Sequence, residues 1–144
     1  MNPIVSTPKL LLYYEMLTPR LSGILEVLVA RPNTAIVAAV RDVTSATKAL
    51  STVTVGEARK LIIVKIDSTS DIDPFVAVDE LKSKHGITKV DVLLSNAGLL
   101  DIIAPVLKTP AEQVRKHFGV NTIAPMLLLR AFSLFSRSLQ HRSF

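Results

Sequence analysis

Short apolar runs recur along the chain, and each run ends at polar residues. The runs Thr34–Val40 (TAIVAAV), Leu61–Ile66 (LIIVKI) and Val90–Leu94 (VDVLL) are rich in β-branched residues and predict three strands. Lys9–Glu15 (KLLLYYE) can stand in for a further, first strand. Because the runs are apolar on both faces, we expect strands buried between two helical layers, and such strands are typical of parallel sheets.

Helix signals fall between these runs and predict four helices. They cover residues 18–30, 44–50, 73–85 and 111–137. Thr18-Pro19 and Thr109-Pro110 each give a threonine cap followed by a proline at the start of a helix, and Glu112 completes a capping box with Thr109. This alternation of helices and strands predicts an α/β fold, a partial doubly wound parallel sheet flanked by helices.

We expect one folded domain in this chain. Its 144 residues suffice for a single hydrophobic core. The pattern divides the sequence into a poorly defined N-terminal segment (1–17), the α/β domain (18–137) and a basic tail (138–144). We find no internal repeat or low-complexity segment that would suggest another architecture.

Composition narrows the choice of function. The net charge of +5 is spread along the chain without interleaved aromatic residues or a nucleic-acid motif, so we expect no nucleic-acid partner. No apolar run reaches the roughly 18 residues of a membrane span, and the start lacks the pattern of a signal peptide. The sequence has no cysteine, and none of its three histidines has metal-ligand spacing backed by carboxylates. We therefore expect no metal site and a cytoplasmic location.

Polar groups directly follow three of the predicted strands. Arg41-Asp42 follows the first of them, Asp67 the second, and Ser95-Asn96-Ala97-Gly98 the third. In an open parallel sheet, ligands bind just beyond the carboxyl ends of the strands, so these groups should share one edge and face a ligand. For Asp67 taken alone, we favour the simpler interpretation of a polar residue that merely follows a strand.

Three longer stretches together carry a family pattern. They are LVARPNTAIVAAVRD (28–42), KHGITKVDVLLSNAG (84–98) and TPAEQVRKHFGVNTIAPMLLL (109–129). In their order and spacing they resemble the short-chain dehydrogenase/reductases, Rossmann-fold enzymes that use NAD(H) or NADP(H), and in particular fungal ketoreductases of the norsolorinic-acid type. The resemblance covers residues 23–135. It implies a Rossmann-type sheet, a nicotinamide dinucleotide as partner, and an aromatic or polyketide ketone as the substrate of the intact enzyme.

The resemblance assigns cofactor contacts to two of the strand ends. Asp67 would meet the adenine amino group. Asn96-Ala97-Gly98 matches the family's Asn-Asn-Ala-Gly turn beside the cofactor ribose, with Ser95 in place of the first asparagine. Gly98 suits a backbone that passes close to the cofactor, because glycine has no Cβ.

Arg41 bears on which dinucleotide is used. It stands where a guanidinium can bind the 2′-phosphate of NADP, which an acidic residue would repel, so we expect NADP over NAD. The alternative is an ordinary solvated loop arginine that pairs with Asp42.

Asn121 matches the asparagine of the family's catalytic tetrad, whose carbonyl in the family holds a water of the proton relay. On a helix, Asn121 shares a face with Val114, Phe118 and Leu128, so we expect it to point toward the core. Pro125 has no N–H for the Asn121 carbonyl, so we also expect a local kink. A buried asparagine at a kink, with no catalytic role, is an alternative of equal weight.

Two features of the family are absent from the sequence. The glycine-rich loop for the pyrophosphate is missing, and Pro19 and Leu21 occupy positions where its glycines belong. The catalytic Tyr-x-x-x-Lys pair is missing as well, since the only tyrosines are Tyr13 and Tyr14. We therefore expect the truncated cofactor-binding half of an NADP-dependent oxidoreductase, with weakened cofactor binding and no catalytic competence of its own.

A second hypothesis is a non-catalytic interaction or dimerisation module. The predicted helix at 111–137 matches one that forms dimer interfaces in the family. Half a Rossmann sheet also leaves an edge strand unpaired and apolar faces uncovered, which favours self-association.

A third hypothesis, a flavodoxin-like or receiver-type domain, ranks last. Such a domain needs an acidic cluster or a phosphate loop after its first strand, and the sequence has neither.

Overall fold

Strands and helices alternate along the described part of the chain. The structure is a computed structural model, and it describes residues 9–14 (backbone), 27, 28, 30, 32–51 and 60–135. The strands are β1 (Lys9–Tyr14), β2 (Thr34–Val40), β3 (Lys60–Lys65) and β4 (Val92–Ser95). The helices are α1 (Val43–Leu50), α2 (Asp73–His85), α3 (Ala111–Phe118) and α4 (Ala124–Phe135), with a 3₁₀ turn at Val106–Lys108 and a π-helical turn at Gly119–Ile123.

The described strands form one parallel sheet in the order β3-β2-β1-β4. This arrangement confirms the predicted α/β fold with a parallel sheet flanked by helices. β1 comes from the run at residues 9–15, and it lies inside the sheet although we set residues 1–17 apart from the domain. Along the chain, β2 and β3 are added on one side of β1, and β4 is then added on the other side. In such a sheet the reversal of strand order opens a crevice at the carboxyl ends of the two strands beside it, here β1 and β4.

Most predicted elements agree with the structure to within two residues. β2 has the predicted bounds, β3 begins one residue earlier, and β4 begins two residues later. Helices α1 and α2 also match their predicted positions. Of the helix predicted at 18–30, Val27 and Leu28 are helical and Ala30 is in a turn, whereas its start at Thr18-Pro19 lies outside the described residues.

The sheet is covered on both faces, as the apolar strand pattern predicts. Along β2, Val37 and Ala39 belong to a core layer shared with α2 and α4. Ile36, Ala38 and Val40 belong to the opposite layer, which is shared with α1. Successive side chains of a strand point to opposite faces, and this alternation produces the split.

The helix predicted at 111–137 is interrupted in the structure. The π-helical turn joins α3 to α4, and within it the Ala124 N–H bonds the Gly119 carbonyl five residues back. Pro125 follows directly and has no N–H to continue the ordinary four-residue ladder, so the expected kink takes the form of a π-helical turn. α4 is described to Phe135, and the predicted end at Arg137 lies outside the described residues.

The predicted capping box at Thr109 is wrong. Pro110 is the N-cap residue of α3, and no side chain caps the helix there. The Thr109 hydroxyl instead donates to the Pro105 carbonyl at 3.0 Å, across the 3₁₀ turn. The Thr109 hydroxyl thus bonds a backbone carbonyl of the preceding turn instead of capping the helix. Threonine side chains often bond nearby backbone groups in this way.

None of the helices in the described residues combines the length and apolar character that a membrane span requires. In the same part of the chain, no three His, Asp or Glu side chains gather closely enough to hold a metal ion.

Gly86 ends α2 in the left-handed conformation, with a φ of 65°. An alanine Cβ would meet open space there, but the backbone conformation is unfavourable for it. We expect Gly86→Ala to lower the free energy of unfolding by about 1 kcal/mol. Gly119 has a helical φ of −57° and equally open space, so Gly119→Ala should leave that free energy unchanged or raise it. Urea denaturation measures both variants, and equal losses would contradict this assignment.

Candidate functional site

Polar residues that follow β2, β3 and β4 lie at one edge of the sheet, because the strands run parallel. The ladder between β2 and β3 continues through a bond from the Ile66 N–H to the Val40 carbonyl (2.9 Å), so Arg41 and Asp67 follow adjacent strand ends. Asn96 follows β4 on the far side of β1. Neighbouring strands are about 4.8 Å apart, which separates the ends of β2 and β4 by about 10 Å. The structure thus gathers the three strand-end groups predicted from the sequence.

Asp67 is a half-buried carboxylate with a fixed side chain. Its Oδ1 accepts hydrogen bonds from the Thr69 N–H (2.8 Å) and the Thr69 hydroxyl (2.7 Å). The backbone bond from Thr69 is the main reason why the pKa of Asp67 lies below its ordinary value; burial opposes the shift, and the positive charges of Arg41 and Lys65 add to it. Asp67 is therefore an ionised hydrogen-bond acceptor at neutral pH, oriented by its own loop.

Asp42 is the N-cap residue of α1. Its carboxylate accepts from the Thr44 N–H (3.0 Å), the Ser45 N–H (3.1 Å) and the Ser45 hydroxyl (2.6 Å). The bond from the Ser45 hydroxyl contributes most to a pKa of Asp42 below its ordinary value. We did not predict this cap, although an aspartate three residues before a serine at a helix start is a recognisable signal. Arg41 is exposed, and within the described residues it forms no ion pair with Asp42 or any other carboxylate.

The turn after β4 contains Gly98, and the close approach of its backbone to the cofactor stays a prediction. Ser95 and Asn96 are exposed, while Ala97 packs against the core. Gly98 does not have a left-handed backbone, and a Cβ placed on it would lie 3.6 Å from Asn121 Oδ1, an ordinary van der Waals distance. The chain itself therefore does not require glycine at this position. Any such requirement comes from a ligand that passes close to the backbone.

Asn121 binds the loop that follows this turn. Its Oδ1 accepts from the Leu99 N–H at 2.7 Å, and its Nδ2 donates to the Leu99 carbonyl at 2.9 Å. The Asn121 amide thus pairs with both the backbone N–H and the backbone carbonyl of Leu99, as a residue of a neighbouring β-strand would. The side chain of Asn121 is thereby engaged in holding the backbone beyond β4.

The predicted orientation of Asn121 toward the core is wrong. Asn121 is exposed, and so are Val114 and Phe118, whereas Leu128 is 1% exposed. The π-helical turn explains the difference, because an extra residue in the ladder shifts the helical phase between Asn121 and α4. Positions 121 and 128 consequently do not share a face.

A second attachment joins the same loop to α3. The Asp101 carboxylate contacts Lys116 Nζ (2.5 Å) and His117 Nε2 (3.1 Å). The His117 Nδ1–H donates to the Gln113 carbonyl at 2.8 Å, which fixes the orientation of the ring. The hydrogen bond from Lys116 is the main cause of the lowered pKa of Asp101. We did not predict this cluster, because its partners are far apart in sequence.

An open groove of about 590 Å³ lies between this loop and α3. Its walls are largely apolar and include Leu100, Ile102, Ile103, Val114, Phe118 and Asn121. The two attachments at Leu99 and Asp101 hold the wall that the loop contributes. Such a groove has the chemistry to receive an apolar or aromatic group.

Replacing Asn121 with aspartate tests the first attachment. The carboxylate can still accept from the Leu99 N–H, but it has no donor for the Leu99 carbonyl and repels it. We expect Asn121→Asp to lower the free energy of unfolding by about 1 kcal/mol. Thr122→Ala, at the exposed neighbouring residue, serves as the control and should have no measurable effect. Chemical denaturation would contradict the assignment if both variants matched the unaltered chain.

No protein-family model matches the sequence, but curated proteins do. The chain is 39% identical over 112 residues to the norsolorinic acid ketoreductase of Aspergillus parasiticus, across 78% of this chain and 41% of the relative. It is 30% identical over 112 residues to the short-chain dehydrogenase srdF of Neurospora crassa, across 76% of this chain and 44% of that one. The chain thus spans less than half the length of these relatives.

Solved structures share the fold at lower sequence identity. A short chain dehydrogenase from Mycobacterium smegmatis superposes with a TM-score of 0.73 at 21% identity, over 94% of this chain and 54% of that chain. The NADPH-bound carbonyl reductase from chicken fatty liver gives 0.66 at 20% identity, over 90% and 50%. In sequence and in fold, the chain is similar to short-chain dehydrogenase/reductases over the stretches that match. Its curated relatives are fungal, and the norsolorinic acid ketoreductases are among them.

Proposed function

We propose that this chain binds a nicotinamide dinucleotide at the carboxyl edge of its sheet, as the cofactor-binding half of a short-chain dehydrogenase/reductase. One observation carries the proposal: an exposed cation, Arg41, and an ionised acceptor, Asp67, follow adjacent parallel strands. The turn at residues 95–98 lies across β1, at the point where the strand order reverses. Open α/β sheets bind nucleotides at this kind of edge.

NADP is the dinucleotide that we propose. The 2′-phosphate carries the charge that distinguishes NADP from NAD, and a guanidinium binds phosphate in a charge-assisted, bidentate manner. Arg41 is suited to this role because the neighbouring carboxylate of Asp42 is occupied by the start of α1. Neighbours of similar fold include an NADPH-bound carbonyl reductase and an NAD+-bound xylitol dehydrogenase, so the proposal of NADP rests on Arg41 alone.

For the ketone, we propose an aromatic or polyketide substrate in the full-length enzyme. The relatives named norsolorinic acid ketoreductases support this class, as does the apolar groove beside Asn121. The given sequence has only Tyr13 and Tyr14 as tyrosines and no Tyr-x-x-x-Lys, so this chain alone lacks the usual proton donor. We propose that it binds the dinucleotide without reducing a ketone, and that Asn121 retains a positioning role through Leu99.

Calorimetric titration of the purified chain with NADPH and with NADH tests this function. We expect saturable binding of NADPH, about tenfold tighter than that of NADH because of one charge-assisted contact. We also expect no oxidation of NADPH when an aromatic ketone is added. Absence of saturable binding would refute the proposed function, and steady turnover would refute the proposed lack of catalysis.

A specific observation also favours self-association. Apolar side chains are exposed on α3 and on the loop before it, namely Ile103, Val106, Leu107, Val114 and Phe118. Three of them, Ile103, Val114 and Phe118, line the same groove, and large exposed apolar patches mark interaction sites. We therefore keep an interaction or dimerisation module as the alternative function.

Val114→Ser tests this alternative against a matched control. Val114 and Val76 are both 56% exposed, but Val76 lies on α2, away from the groove. If α3 forms an interface, Val114→Ser should shift the chain toward monomer in sedimentation velocity, while Val76→Ser should not. A chain that sediments as a monomer before any substitution would contradict the alternative.

A further inference from the structure

The Asp73 side chain connects the start of α2 to the end of β3. It is 14% exposed, and both of its oxygens are used. Oδ1 accepts from the Ser70 hydroxyl at 2.7 Å. Oδ2 accepts from Lys65 Nζ at 2.7 Å and from the Asp67 N–H at 3.0 Å. One carboxylate therefore bonds three residues that precede its own helix.

The two oxygens of Asp73 serve different purposes. The bond between Oδ1 and Ser70 belongs to the start of α2, because the Ser70 oxygen in turn accepts from the Asp73 N–H at 3.2 Å. This pair satisfies one backbone donor in the first turn of the helix, the Asp73 N–H. The two hydrogen bonds that Oδ2 accepts both come from residues before the helix, Lys65 and Asp67. Oδ2 thus bonds the last residue of β3 and the backbone of Asp67, which a helix start alone does not require.

The charge of Asp73 is maintained in this position. Burial raises the pKa of Asp73, but the hydrogen bonds from Lys65, Ser70 and the Asp67 N–H outweigh burial and bring the pKa below its ordinary value. Hydrogen bonds to an ionised acceptor are stronger than those between neutral groups. The Asp67 backbone is thus held by a carboxylate that stays ionised at neutral pH.

Asp67 is consequently fixed at two points. Asp73 holds its backbone N–H, and Thr69 holds its side-chain Oδ1. Both contacts act on Asp67, whose carboxylate lies close enough to Arg41 for the guanidinium charge to lower its pKa. Loss of the backbone contact would let the end of β3 and the Asp67 side chain move, even though Thr69 would still bond the carboxylate.

We propose that Asp73 is a positioning residue for nucleotide recognition, which places the Asp67 carboxylate to accept the 6-amino group of adenine. This inference rests on the proposed function, together with the expectation from the family resemblance that Asp67 meets the adenine amino group. Asp73 contacts no ligand itself. Its expected effect is specific: it sets the preference for a base that carries an amino group.

The test compares NADPH with its hypoxanthine analogue, in which an oxo group replaces the adenine 6-amino group. The unaltered chain should bind NADPH about tenfold more tightly than the analogue, the effect of one hydrogen bond to a charged acceptor. Asp67→Ala and Asp73→Ala should each bring this ratio to about one. Asp73→Ser is the second variant: its hydroxyl suits a helix start but is too short to reach the Asp67 N–H.

Ser70→Ala is the matched control, because it removes the helix-start bonds and leaves the contact between Asp73 and Asp67 in place. It should lower the melting temperature but keep the tenfold ratio. The inference is overturned if the Asp73 variants keep the ratio while Asp67→Ala loses it, or if Ser70→Ala loses it equally. Failure of the unaltered chain to bind either dinucleotide would instead refute the proposed function.

Discussion

Replacing Leu128 with alanine is expected to lower the free energy of unfolding by about 3 kcal/mol. Leu128 lies on α4, is 1% exposed, and belongs to the core layer that joins α4 to α2 and the sheet. The substitution removes buried methyl groups and leaves a cavity, since the surrounding strands relax only in part. Urea denaturation monitored by circular dichroism measures the loss.

Leu129 provides the matched control on the same helix. It is 57% exposed, so Leu129→Ala removes little buried surface and should change the free energy of unfolding by less than about 0.5 kcal/mol. The contrast between adjacent leucines tests the helical phase after the π-helical turn. If the two variants lost equal stability, or if Leu129→Ala lost more, the packing of α4 on the sheet would be wrong.

Arg41→Glu is expected to weaken NADPH binding by about a hundredfold and to leave NADH binding nearly unchanged. The substitution removes the guanidinium proposed to bind the 2′-phosphate and places a negative charge at the same strand end. Repulsion therefore adds to the lost contact. Calorimetric titration at two salt concentrations measures the effect, and the difference between NADPH and NADH should shrink as salt rises.

Lys48→Glu is the control for the charge change itself. Lys48 is an exposed cation in the last turn of α1, whereas Arg41 lies just before the start of that helix. Lys48→Glu therefore changes the net charge by the same amount as Arg41→Glu, but at the other end of α1. We expect a small, similar change in the affinity for both dinucleotides. An unchanged NADPH-to-NADH ratio in Arg41→Glu would contradict the assignment of Arg41.

The sheet was predictable because its signals are local and redundant. β2 is apolar from Ala35 to Val40, and a strand covered on both faces accommodates that pattern. Asp73-Pro74 and Gly86 mark the ends of α2 by conformational preferences that depend on few neighbours. Once the strands are parallel, the common edge of Arg41, Asp67 and Asn96 follows from geometry.

The errors arose where one group has several possible partners. The Thr109 hydroxyl had a nearby carbonyl at Pro105 as well as the helix that follows, and it bonds the former. The position of Asn121 was predicted from an unbroken 3.6-residue period, which the π-helical turn interrupts. Long-range contacts such as that between Asp101 and Lys116 carry no local signal, so only the folded chain reveals them.

Mapping the dinucleotide site by amide NMR tests the central claim most directly. NADPH titrated into the ¹⁵N-labelled chain should shift the amides of Arg41, Asp67 and Asn96 together, with one common dissociation constant. The amides around Gly86, at the C-terminal end of α2, should not move. Shifts confined to the groove beside α3, shifts centred on Gly86, or no saturable shifts at all would contradict a nucleotide site at the carboxyl edge of the sheet.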